Sequence, residues 1–305
     1  MRTAFTEGII GQTGYAGIVM ADPSIGNISD TARWVALYRA MESERPDAHF
    51  RDPFARRLAG ARGEDIARTL PAFQAGLWPM VVRTVAFDDL VTRAVTQQGA
   101  DTVVNLASGL DARPWRMRLP ASLRWIDVDL PEILAYKREC LAGEPAACAV
   151  ESVAADLTEA PARRALFERI GRDSKRTLIL SEGLLVYLTP EDVAALAVDL
   201  HAPESFRSWA IDIVAPQLLA RLNKQWAPTL AAGRAVLQFA PENGTRFFEP
   251  YGWRETEYRS TFEEGIRLRR HMRGAWFYRL IGKLSGSKGR EKMRRIGGIA
   301  LLERS

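Results

Sequence analysis

The chain has few cysteines and histidines and lacks long apolar runs. Cys140 and Cys148 are the only cysteines among its 305 residues. They give neither a disulfide framework nor a cluster of metal ligands, so we expect no metal site and a reducing, cytoplasmic setting. No apolar run reaches the ~18–20 residues that a membrane-spanning helix needs. The start of the chain also lacks the basic segment and apolar stretch of a signal peptide, so we expect no membrane association.

Positive charge is concentrated in one stretch. Residues 265–296 hold eleven Lys or Arg and a single acid, Glu291, in a chain whose net charge is only +5. Basic residues interleaved with aromatic ones, here 276–278, can bind nucleic acid or an anionic ligand. The rest of the chain is net acidic, however, and would repel a large polyanion. We therefore expect a solvated surface here and no nucleic-acid partner.

Strands and helices alternate regularly after residue 100. Thr189-Pro190-Glu191-Asp192 combines a capping residue, a proline and two acids, and predicts a helix over 190–202. The last two candidate strands suit an antiparallel pair. The pattern predicts an α/β protein with a doubly wound, mostly parallel sheet of seven strands. The candidate strands are 101–107, 123–128, 149–155, 176–182, 206–214, 252–260 and 297–303.

We expect a single domain over residues 29–305. An extension over residues 1–28, expected to be flexible, precedes it. Helices over 30–44, from Asp52 onward and over 80–98 are predicted to precede the sheet. A lid insertion is expected at about 216–250, with 216–240 helical. Glycine, serine and lysine predict a mobile loop over 285–296.

Four acids fall at or just past predicted strand ends: Asp111, Asp129, Asp156 and Glu182. Ligands of doubly wound sheets bind beyond the carboxyl ends of the strands. A turn or a helix cap would explain each aspartate alone. Glu182 lies in an apolar run, where an unpaired buried acid costs several kcal/mol, so it must face a partner or a site. The four together indicate a binding site.

The turn at Gly109 and the acid 20 residues later have the spacing of a nucleotide-binding crossover. A glycine lets backbone approach the ligand, and Asp129 can accept hydrogen bonds from ribose hydroxyls. A pyrophosphate cradle needs three glycines. The single glycine therefore favours an adenosine cofactor without a pyrophosphate and disfavours a nicotinamide-dependent oxidoreductase.

Several motifs together resemble the leucine carboxyl methyltransferase-like family of class I S-adenosyl-L-methionine (SAM) methyltransferases, which includes polyketide O-methyltransferases and uncharacterised bacterial members. The resemblance covers roughly residues 30–305 and implies a Rossmann-like fold. Its motifs lie at 45–47 and 52–54, at 83–84 and 87–89, and at 105–111, 127–131, 155–157 and 182–188.

The resemblance implies roles at the two ends of the cofactor. Arg83, with help from Arg39, would pair with the methionine carboxylate, Glu182 would lie near the amino group and the methyl, and Tyr187 would position the acceptor. The residues expected beside the adenosine half are Ala107, Gly109, Asp111, Asp129, Asp156 and Leu157. Asp129 would take the ribose hydroxyls, and Asp156 and Leu157 the adenine. Ala107 stands where the family often has glycine.

The expected function is SAM-dependent O-methylation of a small molecule. A carboxylate acceptor is ionised at pH 7 and needs no base, whereas a phenol needs one, and the chain has only His49, His201 and His271. This favours a carboxylate. The alternatives are methylation of a protein C-terminus or of tRNA, a nicotinamide-dependent oxidoreductase, and a binding module without catalysis.

Overall fold

The computed structural model describes residues 28–69, 73–232, 236–272 and 286–305. The strands of these residues are β1 (Thr102–Leu106), β2 (Arg124–Asp129), β3 (Ala149–Ala154), β4 (Thr177–Ser181), β5 (Phe206–Val214), β6 (Trp253–Ser260) and β7 (Gly297–Arg304). The helices are α1 (Ile28–Ser43), α2 (Ala55–Thr69), α3 (Phe73–Thr96), α4 (Arg113–Arg116), α5 (Pro131–Cys140), α6 (Ala160–Arg172), α7 (Pro190–His201), α8 (Pro216–Ala232), α9 (Thr261–Arg267) and α10 (Gly286–Arg294). Two 3-10 helices span Leu185–Tyr187 and Gly244–Tyr251.

The strands form a single sheet in the order β3-β2-β1-β4-β5-β7-β6. The first five are parallel, and β7 runs antiparallel to both β5 and β6. The chain moves outward from β1 to β3 and then returns to β4 on the other side of β1. This reversal creates a switch point between β1 and β4, where ligands of such sheets bind. The predicted α/β fold is confirmed.

Neighbouring residues of a strand point to opposite faces of the sheet. Each face therefore carries apolar side chains, and helices cover both faces. Val103 and Leu178 pack in a cluster with Phe87 of α3, whereas Val104 and Ile179 belong to the cluster under α6 and α7. All five are fully buried. A third apolar cluster joins α1, α2 and α5. The helices α1 and α2 therefore pack beside the strand ends rather than on a sheet face.

Helix α7 begins as the sequence predicts. The Thr189 side chain accepts a hydrogen bond from the Asp192 amide at 3.1 Å, which satisfies one of the unpaired amides of the first turn. In the part of the chain that the structure describes, no helix is both long enough and apolar enough to cross a bilayer. Residues 1–27 and the aromatic residues 276–278 lie outside the described residues.

Two predictions about the second half of the chain were wrong in part. Of the helix expected over 216–240, the structure has Pro216–Ala232 as α8, and residues 236–240 form neither helix nor strand. The loop expected over 285–296 is largely the helix α10. Contacts remote in sequence stabilise it: Arg294 pairs with Glu263 at 3.2 Å, and Arg295, which follows the helix, pairs with Glu255 at 2.7 Å and stacks over the Tyr258 ring at 4.5 Å.

Candidate functional site

A cavity of about 600 Å³ lies at the carboxyl ends of β1 to β5. Its lining includes every residue that the sequence predicts for the site. These residues are Arg39, Arg83, Ala107, Gly109, Asp111, Asp129, Asp156, Leu157, Glu182 and Tyr187. The fold thus gathers side chains that are up to 148 positions apart in the sequence. Cavities of this size hold small ligands and cofactors.

The turn after β1 brings backbone to the cavity surface. Ala107 and Gly109 both have a φ of +50°, in the left-handed region that favours glycine. The Ser108 amide between them donates to the Val128 carbonyl at 3.2 Å and ties the turn to β2. An alanine in this conformation is strained. The strain explains in physical terms why glycine suits position 107.

The Asp129 carboxylate is held in place by two backbone amides. Its Oδ2 accepts from the Gly109 amide at 2.6 Å and its Oδ1 from the Leu130 amide at 2.7 Å. Burial raises the pKa of Asp129, and the two amide hydrogen bonds oppose that rise. Each carboxylate oxygen can accept a second hydrogen bond. The end of β2 therefore presents an oriented pair of acceptors beside the glycine turn.

Asp156 follows β3 and is exposed at the rim. Its Oδ1 accepts from the Thr158 amide at 2.9 Å and from the Thr158 hydroxyl at 2.7 Å, which closes a tight turn. Leu157, half-buried, lines the cavity beside it. The arrangement fixes one carboxylate oxygen and leaves the other to accept from a ligand.

The Asp111 carboxylate is already occupied by hydrogen bonds within the protein. Its Oδ2 accepts from Asn105 Nδ2 at 3.0 Å and from Arg113 Nη1 at 2.7 Å. Burial by itself would raise the pKa of Asp111, but the positive charges of Arg113 and Lys137 outweigh it and lower the pKa. Asp111 is therefore ionised and orients Arg113.

Arg83 of α3 lies between two carboxylates. Its Nε donates to Glu182 Oε1 at 3.0 Å and its Nη1 to Asp212 Oδ2 at 3.2 Å. Asp212, at the end of β5, also accepts from the Gly183 amide at 2.7 Å. The sequence analysis missed Asp212, although it lies in the apolar run 209–214 and carries the same signal as Glu182: a charge that needs a partner.

Ion pairs extend from these residues through the floor of the cavity. Arg113 pairs with both Glu182, at 2.8 Å, and Asp88, at 2.7 Å. Arg39 donates to Asp52 at 2.9 Å and to the Leu110 carbonyl at 2.6 Å. The connected groups are the carboxylates of Asp52, Asp88, Asp111, Glu182 and Asp212 and the guanidiniums of Arg39, Arg83, Arg113 and Arg116. Carboxylates exceed guanidiniums by one in this network, and with Asp129 and Asp156 the described lining of the cavity itself holds five carboxylates and three guanidiniums, so it is complementary to a ligand with a net positive charge.

Tyr187 is the last residue of the 3-10 helix that follows β4, and it contacts α1. Its hydroxyl is hydrogen-bonded to the Thr31 side chain, and burial raises the pKa of Tyr187 although the charge of Arg83 opposes the rise. The phenol is therefore protonated at neutral pH. It can hold a ligand by a hydrogen bond and is a poor base.

Known proteins resemble this chain in sequence and in fold. The profile of the leucine carboxyl methyltransferase family matches residues 32–200. A provisionally named SAM-dependent methyltransferase from Parafrankia sp. is 38% identical over 191 residues, which are 58% of this chain and 61% of that protein. Another, from Streptomyces avermitilis, is 32% identical over 236 residues, which are 73% of this chain and 82% of that protein. The chain belongs to the leucine carboxyl methyltransferase family.

The matched region spans 61% to 64% of the length of the first three relatives. Solved structures resemble the whole fold. A protein from Thermobifida fusca, provisionally named a methyltransferase, has a TM-score of 0.57 at 15% identity, over 96% of this chain and 100% of that one. A DUF574 family protein from Streptomyces avermitilis has a TM-score of 0.55 at 14% identity, over 90% and 97%. At such identities the likeness shows the fold alone, and it confirms the Rossmann-like architecture.

Proposed function

We propose that this protein is a SAM-dependent O-methyltransferase that methylates the carboxylate of a small molecule. The observation that carries the proposal is the arrangement of one cavity. At the ends of β1 and β2, the Asp129 carboxylate is held beside the left-handed turn at Ala107 and Gly109. At the ends of β4 and β5, Glu182 and Asp212 belong to a charge network with one surplus carboxylate. The names of the family relatives support the cofactor.

The described residues fit SAM along the sheet. Asp129 would accept from the ribose hydroxyls, and Asp156 with Leu157 would contact the adenine. Arg83 and Arg39 would hold the carboxylate of the methionine portion, and Glu182 would lie beside its amino group. Asp111 acts through Arg113, which it orients. SAM, when bound, supplies a methyl group on a positively charged sulfur, and the protein contributes alignment.

The lack of histidine, lysine and cysteine in the described lining of the cavity favours a carboxylate acceptor. The three histidines are engaged elsewhere: His49 contacts the Leu268 carbonyl at 2.6 Å, His201 packs on Trp253, and His271 contacts its neighbour's carbonyl. A carboxylate attacks without losing a proton, so this cavity can serve it.

The tRNA alternative depends on free positive charge, and much of the described charge in 265–296 is paired. Arg270 is 7% exposed and pairs with Glu42 at 2.9 Å, while Arg294 and Arg295 pair with acids of the same face. Filter binding of tRNA at two salt concentrations tests this. We expect weak binding that reversal of the exposed Lys288, Arg290 and Lys292 hardly changes. Submicromolar binding lost in that variant would favour tRNA.

The proposed chemistry is tested by incubating the full chain with SAM that carries an isotopically labelled methyl group and with metabolite extracts. We expect label in products that release methanol on alkaline hydrolysis, because methyl esters are base-labile. Label that survives alkali would show transfer to a hydroxyl instead. A protein that retains NAD and transfers no label would support the oxidoreductase.

A further inference from the structure

We infer that Arg113 is a positioning residue for the cofactor. It fixes the carboxylate of Glu182 where that carboxylate accepts hydrogen bonds from the amino group of the methionine portion of SAM. This inference rests on the proposed function and adds the step by which Asp111, through Arg113, acts on the cofactor. It follows from how Arg113 is anchored and from what each of its partners would lose without it.

Glu182 has a flexible side chain whose two carboxylate oxygens are held by two different arginines. The residue directly follows β4, and its side chain is 14% exposed. Its Oε1 accepts from Arg83 Nε at 3.0 Å, and its Oε2 pairs with Arg113 Nη2 at 2.8 Å. Each oxygen keeps a second lone pair for a ligand, so the two guanidiniums together decide where an amino group can bind.

The Arg113 guanidinium is anchored by protein groups alone. Its Nε donates to Asp88 of α3 at 2.7 Å and its Nη1 to Asp111 Oδ2 at 2.7 Å. Asp111 Oδ1 also accepts from the Arg113 backbone amide at 2.9 Å, so one carboxylate holds both the backbone and the side chain of this arginine. The Phe87 ring lies 5.7 Å from the guanidinium carbon. The position of Arg113 therefore does not depend on a ligand.

Arg83 cannot replace Arg113 in holding Glu182. Its Nη1 donates to Asp212 at 3.2 Å, so its charge is already shared between two carboxylates. In the proposed complex, the methionine carboxylate would be a third acceptor for the same guanidinium. Arg113 is 3% exposed, and each of its three nitrogens already has a carboxylate partner. Arg113 is thus the partner that keeps Glu182 in place while the cofactor binds.

Loss of the Arg113 guanidinium would affect Glu182 more than the other two carboxylates. Asp88 would keep two hydrogen bonds from Arg116, at 2.6 and 2.7 Å. Asp111 would keep an amide donor at 3.0 Å. Among the contacts that the structure describes, Glu182 would keep only the shared guanidinium of α3. Repulsion from Asp111, no longer offset by the positive charge between them, would then turn Glu182 away from the amino group.

Calorimetry with S-adenosylhomocysteine and with 5′-methylthioadenosine, which lacks the amino acid portion, tests the inference in the full chain. Arg113→Met should weaken S-adenosylhomocysteine at least about tenfold, the effect of losing a hydrogen bond to a charged group, and leave methylthioadenosine unchanged. Arg93→Met is the matched control and should change neither affinity. Arg93 is an α3 arginine with two carboxylate partners, at 3.0 and 2.6 Å, and it lies outside the cavity lining.

Two further variants make the test specific. Arg113→Lys keeps the positive charge but has one nitrogen in place of three, so it serves if the methionine variant does not fold. It should weaken S-adenosylhomocysteine at least about threefold, again without an effect on methylthioadenosine. In a Glu182→Gln background, Arg113→Met should weaken S-adenosylhomocysteine by no more than about twofold further, because the carboxylate that Arg113 positions is already gone.

The outcomes separate this inference from the proposed function. Equal weakening of both ligands in the Arg113 variants would show a structural role alone, and unchanged affinity for S-adenosylhomocysteine would show no role. A full effect of Arg113→Met in the Glu182→Gln background would show that Arg113 does not act through Glu182. Each of these results would overturn the inference and leave the proposed function standing. A wild-type protein that binds neither ligand would contradict the proposed function itself, and this inference with it.

Discussion

Removing the Asp129 side chain tests the proposed ribose contact. In Asp129→Ala, two hydrogen bonds from ribose hydroxyls to a charged acceptor are lost. Such a bond contributes about 1.5–3 kcal/mol, and water at the rim replaces part of the loss. A net loss of about 1.5–3 kcal/mol corresponds to about 10- to 150-fold weaker binding of SAM and S-adenosylhomocysteine. Titration calorimetry measures both affinities.

The change also removes the partner of the Gly109 and Leu130 amides, so a structural effect must be separated from a lost contact. A cycle with an S-adenosylhomocysteine analogue that lacks the 2′- and 3′-hydroxyls does this. Wild type should bind the analogue as weakly as Asp129→Ala binds the parent, and the variant should bind both alike. Glu168→Ala, an exposed acid on α6, controls for the charge. Unchanged affinity in Asp129→Ala, or equal binding of both ligands by wild type, would refute the ribose assignment.

Three further perturbations follow from the structure. Ala107→Gly should raise the free energy of unfolding by up to about 1 kcal/mol in urea titrations, because relief of the left-handed strain exceeds the added backbone entropy; a loss would contradict it. Burial lowers the pKa of His201, and the charge of Arg304 lowers it further. Because the unfolded chain then takes up a proton more readily than the folded one, the folded protein loses stability as the pH falls below ~6.5. His201→Gln should therefore lose less melting temperature than wild type between pH 7.5 and 5, and equal losses would contradict this. Asp199→Ala leaves Arg163, 4% exposed, without its 2.5 Å partner and should cost about 3–5 kcal/mol of unfolding free energy; a cost below about 1 kcal/mol would show that the pair is replaceable.

The parts of the fold that could be predicted are those that local sequence specifies. The predicted strands agree with the observed ones within two residues at either end. Most are apolar runs bounded by turn residues, whereas β6 has four charged residues among its eight. The start of α7 follows from the local sequence Thr189-Pro190-Glu191-Asp192. The four acids at strand ends also lie at the same cavity, since parallel strands bring their carboxyl ends to one edge.

The parts that could not be predicted depend on contacts between distant residues. Helix α10 has a loop-like composition and is held by Glu263 and Glu255 of other elements. Arg113 carries no local signal, yet it links Asp111, Asp88 and Glu182 once the chain is folded. Residues 236–240 are not helical, and the amides of Gln238 and Phe239 bond to the carbonyl of the distant Val186 instead. Which partner satisfies a buried charge or amide is decided by the tertiary structure.

The most direct test of the central claim is a calorimetric titration of the full chain with SAM, repeated with NAD and in the presence of S-adenosylhomocysteine. We predict one SAM bound per chain, displaced by S-adenosylhomocysteine, with weaker binding in Arg83→Met and no heat from NAD. Absence of SAM binding in a folded protein, or binding of NAD at the same cavity, would contradict the assignment of this site.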